Sequence, residues 1–167
     1  SDLNKNILNY LEKQKNIKNN KERNLKLIIN DECIKIINNF QINEINIANN
    51  KDNNGIYYFR EKIDGFINFV YELINVELLK LQFGFYVVEQ FYKLFIRENK
   101  ENMKYNNIIT NNYLEGIIAL IPKLGKLYFE KDNQKLLQNI NNFIQQNLFQ
   151  MINIKNKNDI NISNNLK

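Results

Sequence analysis

Few side chains in this sequence can do chemistry, and their spacing decides how much. The chain has no His and a single Cys, Cys33. That excludes every His-based catalytic triad, the common zinc sites and any disulfide framework. Carboxylates remain. Glu61 and Asp64 are three residues apart and share a helical face, whereas Glu72 and Glu77, five apart, do not. Without an imidazole, a glycine-rich phosphate loop or a ligand cluster beside them, such pairs do not make an acid–base or metal site. Cys33 falls on an apolar stripe with no base to activate it and reads as a buried structural thiol. The expectation is a chain that is not an enzyme and takes no metal and no cofactor.

The remaining candidates are binding groups. Lys123, Lys126, Lys131 and Lys135 bracket one helix-to-helix joint. The plainer reading gives Lys123 and Lys126 the favourable position of cations near a helix C-terminus and leaves the others solvated. The functional reading makes the four a small phosphate-contacting patch. The aromatic run QFGFYVVEQFYKLF (82–95) is first of all core, because one helical stripe cannot hide Phe83, Phe85, Tyr86, Phe91, Tyr92 and Phe95. Its polar-tipped members, Tyr86 and Tyr92, are the candidates for contact with a partner helix or with RNA bases.

Charge placement bears on the RNA reading. The chain of 167 residues carries a net charge of +5. Residues 1–26 hold seven basic groups against three acidic ones, and the tail 153–167 holds three Lys against Asp159. The centre is close to neutral. A nucleic-acid domain normally concentrates basic residues on the fold itself, so the flanking excess is a weak signal. Composition explains much of it: 35 Asn, 26 Ile and 20 Lys, with only three Arg, point to A·T-rich codon usage.

Positioning these residues falls to helices. Apolar residues recur at three- and four-residue spacing almost throughout, and alternation is confined to short Asn/Ile runs such as 41–48. The first helix is expected over about Leu3–Lys13, followed by a polar loop at 14–23. A second is built on Leu25, Ile28, Ile29, Cys33, Ile36, Ile37 and Phe40. Residues 49–55, NNKDNNG, form the expected linker. Further helices are expected over about Tyr58–Asn75, Glu77–Glu98, Asn112–Lys126 and from Asp132 or Asn133 to Phe149, with a polar loop between the middle two. Short joints force antiparallel neighbours, so the fold class is all-α, as helical hairpins stacked in a short HEAT-like solenoid or as a helical bundle. No internal sequence repeat separates the two. The domain organisation reads as N-terminal helices and linker at 1–55, a hairpin core at 56–151 and a flexible tail at 152–167. The N-terminal segment SDLNKNILNY lacks a signal-like apolar block, and no stretch reaches 18 apolar residues, so a soluble, intracellular protein with no membrane partner is expected.

Two segments carry a resemblance. Residues 67–79, INFVYELINVELL, hold Phe69, Val70, Glu72, Leu73 and Leu79 around a tight joint at Asn75. Residues 119–132, ALIPKLGKLYFEKD, hold Pro122, Gly125 and Lys126 where the fifth helix is expected to close. Together they resemble the middle domain of the eukaryotic initiation factor 4G superfamily, a HEAT-type domain, and most closely its branch in the large subunit of the nuclear cap-binding complex. The resemblance covers about 58–150. It implies a non-catalytic scaffold in mRNA metabolism, nuclear or cytoplasmic, with cap-binding or helicase components as protein partners and RNA as a secondary contact. In it Phe69, Glu72, Leu73, Pro122 and Gly125 are architectural, with Gly125 as a left-handed helix cap. The competing expectation is a lineage-specific helical interaction or surface protein with no RNA role.

Overall fold

The computed structural model describes residues 2–50, 53–100 and 106–156, with side-chain environments over 13–40, 58–97 and 111–156. The described residues are helical and contain no strand. Helix α1 spans Asp2–Asn50, α2 Asn53–Asn75, α3 Leu81–Lys100, α4 Asn106–Glu130 and α5 Gln134–Phe143. α5 runs directly into a π-helical turn, Ile144–Leu148, and α-helix resumes over 149–156. The chain forms two compact units, Ser1–Ile36 and Ile37–Lys167, with the boundary inside α1.

The polar loop expected at 14–23 is instead continuous helix. The segment contains no Pro or Gly, and its Lys, Glu, Gln and Arg are good helix formers. Polarity there removes the apolar stripe without removing the helix, and Glu22 and Lys26 pair one turn apart at 2.9 Å. The expected linker is shorter than its composition suggests, since α1 continues to Asn50 and α2 begins at Asn53. Of the polar loop before α4, residues 101–105 lie outside the described residues, as do 157–167 of the tail. Residues 152–156 are helical.

α2 and α4 end in the same way. Leu78 N–H donates to the Leu73 carbonyl at 2.9 Å and Glu77 N–H to Ile74 at 3.0 Å, while Asn133 N–H donates to Tyr128 at 2.8 Å and Asp132 N–H to Phe129 at 3.0 Å. Both are Schellman caps, in which the residue after the helix takes a left-handed conformation. Here that residue is not glycine: Glu77 has φ 62° and Asp132 φ 50°. The first cap takes up 76–80, which is why α3 starts at Leu81 and not at Glu77. The second moves the corner downstream of Pro122, Gly125 and Lys126. Those three lie inside α4, so the expected turn at Pro122 and the expected cap at Gly125 are both corrected. Pro122 removes the hydrogen bond to the Ile118 carbonyl, on the exposed side of α4 where water can replace it. Asn133 then caps α5, its side chain accepting from Leu136 N–H at 3.1 Å.

Within the second unit α2 and α4 run side by side and parallel. Arg60 meets Glu115 at 3.2 Å, Lys123 donates to Asn68, and Lys131 meets Glu77 at 2.8 Å, a near-constant separation of 54–55 residues. α3 runs antiparallel to α4, with Tyr128 Oη donating to the Leu81 carbonyl at 2.8 Å. Glycine makes both approaches possible. A Cβ at Gly84 would overlap Leu124 Cδ2, and one at Gly116 would lie 3.0 Å from Ile63 Cγ2 and Ile67 Cδ1 and 3.1 Å from Phe91 Cε2. α5 packs on α3 and α4, with the Phe143 ring against Phe85 and Tyr92.

The core is aromatic and fully buried, led by Phe59, Phe91, Phe95, Tyr113 and Tyr128. Phe40 adds an edge-on ring to Phe59, Phe66 and Phe91 at 5.5–6.0 Å. Offset and edge-to-face packing of this kind adds about 0.5–1.5 kcal/mol per pair beyond area burial.

Candidate interaction surface

The four lysines singled out by sequence lie near the α4–α5 corner, and two of them, Lys126 and Lys131, have a carboxylate neighbour. Lys131 pairs with Glu77 at 2.8 Å, Lys126 stands 3.9 Å from Glu130, and Lys123 donates to Asn68 with its ammonium 5.5 Å above the Tyr71 ring. Lys135 is exposed on the first turn of α5. Each ion pair is itself exposed and so weak, yet each places a carboxylate where a phosphate would have to sit. Tyr86 and Tyr92 lie on α3. Tyr86 is half-buried against Phe83 at 5.5 Å and Tyr92 against Phe143 at 5.6 Å. Each ring thus packs against another aromatic side chain.

Reactive groups are scarce. Burial, with the Glu32 carboxylate adding, pushes the Cys33 thiol up, so it is a poor source of thiolate at neutral pH. Burial likewise pushes the Tyr128 phenol far up, only partly offset by the Phe85 backbone N–H. Among the described residues no three His, Cys, Asp or Glu side chains come together to hold a metal, and no helix is long and apolar enough to cross a membrane. Three buried polar atoms in α4, Asn112 Nδ2, Tyr113 Oη and Glu115 Oε2, have no hydrogen-bond partner, although the last meets Arg60 as an ion pair at 3.2 Å.

The surface that stands out was read in sequence as scaffold. Phe69 is 51% exposed and shares one side of α2 with Tyr58, 59% exposed, and Val76, also 59% exposed, continues that line as the first residue past the helix end. Tyr58, Lys62, Gly65, Phe69, Glu72 and Val76 follow one another at four- and three-residue steps, the spacing of a single helical face. Lys62 covers the Tyr58 ring at 4.6 Å. Two residues along an α-helix face nearly opposite ways, so Tyr58 and Phe69 point away from Arg60 and Tyr71, the residues that meet α4. On α4, Ile118 and Phe129 are also exposed, at 46% and 74%, with Pro122 between them.

No family model, curated protein or solved structure matches this chain. The reading of its surface therefore rests on its own geometry. The signal that could have found the α2 face is a second apolar stripe, out of step with the buried Ile63, Phe66, Ile67 and Val70.

Proposed function

We propose that this chain is a non-catalytic scaffold that binds protein partners through the exposed apolar side of α2. One observation carries the reading: Tyr58 and Phe69, with Val76 just past the helix end, are aligned and more than half exposed, while the opposite side of α2 is packed into an aromatic core. A line of exposed apolar side chains of this kind, with Lys62 and Glu72 interspersed, has the spacing of a helical face that a partner protein can cover. The architecture proposed for it is two HEAT-like hairpins, α2–α3 and α4–α5. What supports this is that α2 lies beside α4 and α3 beside α5, whereas a closed four-helix bundle sets the first helix against the last. The setting in mRNA metabolism comes from the resemblance of 67–79 and 119–132 alone. Direct RNA contact at the lysine corner is its weakest part, because Glu77 and Glu130 stand beside Lys131 and Lys126.

A photo-crosslinking residue placed at Phe69, in the organism that makes the protein, tests the reading. Discrete protein adducts are expected, reduced by Tyr58→Asp and absent when the crosslinker stands at the exposed Glu89 of α3. In parallel, anisotropy of a single-stranded RNA across a salt series is expected to be flat. Salt-dependent RNA binding lost in the Lys123→Glu, Lys131→Glu double variant would replace this reading with an RNA-binding one.

A further inference from the structure

The first compact unit, Ser1–Ile36, is one helix that leaves large apolar side chains in solvent: Ile17 is 44% exposed, Leu25 48%, Ile28 59% and Ile36 37%. A single helix gains little from propensity and normally needs an apolar face to be covered. These four residues form one stripe with the exposed Lys21 and Glu32: Ile17, Lys21, Leu25, then Ile28, Glu32, Ile36. Each member of the second trio stands eleven residues after its counterpart in the first. An eleven-residue period keeps a stripe in line along an almost straight helix, where a seven-residue period would require a left-handed supercoil. Leu27, also exposed, lies on the other side.

The order of the stripe is palindromic. Its steps are four, four, three, four and four residues, and its two charged members have opposite sign. Turned end for end against a copy of itself, the stripe sets Ile17 opposite Ile36, Leu25 opposite Ile28 and Lys21 opposite Glu32. Every one of those pairs then occurs twice, which is the signature of an isologous two-fold interface. Parallel pairing would instead set Lys21 against Lys21 and Glu32 against Glu32, and would bring together two segments that each carry Lys13, Lys15, Lys18, Lys21, Arg23 and Lys26. Glu32 already meets Lys35 on its own helix, and a carboxylate has the acceptor capacity for a second ammonium.

We infer that the occupant of this stripe is a second copy of the chain, and that α1 pairs antiparallel with its two-fold mate over residues 17–36. The interface is small, two apolar pairs and one charge pair per half, so the dimer is concentration-dependent and not obligate.

Charge reversal in the full-length chain tests both the partner and the direction. Sedimentation equilibrium over roughly 1 μM to 1 mM, the range of weak to moderate association, is expected to show the mass rising from 20.1 kDa towards twice that value. Lys21→Glu and Glu32→Lys each place like charges opposite one another twice, and each is expected to weaken association roughly tenfold or more. The double variant restores opposite charges and recovers it, as does an equimolar mixture of the two single variants. All these positions are exposed, so circular dichroism should be unchanged. Monomer at every concentration would overturn the inference. So would dimerisation indifferent to single reversal, since parallel pairing gives that result. Loss of association in the singles without recovery in the double would overturn the antiparallel register. A monomeric chain that co-sediments with phosphatidylserine vesicles and loses this with Ile28→Asp would assign the stripe to a lipid surface instead.

Discussion

Glu77 and Lys131 tie together the two turns of the second unit, their charged atoms 2.8 Å apart across 54 residues of chain. One is the left-handed residue of the first Schellman cap and the other immediately precedes the left-handed residue of the second. The pair sits in solvent, with side chains 73% and 40% exposed, so its worth is limited by screening and side-chain entropy. A double-mutant cycle with Glu77→Gln and Lys131→Gln is expected to give a coupling of about 0.2–1 kcal/mol in urea denaturation that shrinks as salt is raised. A coupling above that range would mean that the turns are held by more than this contact.

Four helical glycines separate into two kinds. Nothing lies within 4 Å of a Cβ built at Gly65 or Gly125. Alanine at either should raise stability by about 0.5–1 kcal/mol through backbone entropy alone. A Cβ at Gly116 would meet Ile63 and Ile67 of α2 and Phe91 of α3 at 3.0–3.1 Å, and one at Gly84 would meet the buried Leu124 and Tyr128. Alanine there should cost about 1–3 kcal/mol, because overpacking outweighs the helix gain. Thermal denaturation of the four single variants distinguishes the kinds by sign.

Asp132 occupies its left-handed conformation without the freedom of glycine. Asp132→Gly is expected to stabilise by up to about 1 kcal/mol, since a side chain in this region costs about 1–2 kcal/mol and Asp bears less of that cost than most residues. The gain is reduced by loss of the 3.2 Å hydrogen bond that its carboxylate accepts from Gln134. Calorimetry on this variant reads the difference.

Two fully buried tyrosines should respond oppositely to removal of the hydroxyl. Tyr128 Oη donates to the Leu81 carbonyl, so Tyr128→Phe should cost about 1 kcal/mol. Tyr113 Oη has no partner, so Tyr113→Phe should be neutral or stabilising by up to about 1 kcal/mol. Urea denaturation of both variants at neutral pH checks the signs.

Alkali offers a separate test of Tyr128. Its phenol is raised in the folded state and must ionise at an ordinary value once unfolded. The unfolded chain therefore releases that proton first. This contribution is complete below the ordinary phenol value of about 10 and is lost as pH climbs above it. Denaturation midpoints should fall above that pH, and the fall should be shallower in Tyr128→Phe.

The helical class and the existence of α2, α3 and α5 were legible because their apolar spacing is strong. Cys33 was legible for the same reason, as an apolar position in a helical stripe. The continuity of α1 was not, because the polar run at 14–23 hides helix propensity under the absence of an apolar stripe. The corner after α4 was misplaced because Pro and Gly punctuate most chains, whereas here Asp132 takes the cap position and Pro122 is tolerated on an exposed side. Among the candidate site residues the clustering of the lysines could be read, but the pairing of Lys131 with Glu77 could not, since Glu77 is far away in sequence. Phe69 was given to the scaffold by the resemblance of 67–79, which says nothing of whether its side chain is covered, and it stands 51% exposed.

The π-helical turn at Ile144–Leu148 changes the phase of everything after it. In uninterrupted α-helix Met151, eight residues beyond Phe143, would be rotated about 80° from it, while one residue absorbed by the wide turn brings it back to within about 20°. Met151 is indeed fully buried, as Phe143 is. The turn thus acts as a one-residue phase corrector, and residues 149–156 keep their inward side only while it stays. A single deletion within 144–148 that closes the π turn should leave Met151 in register, whereas the same deletion further along should swing the remaining helix out of step.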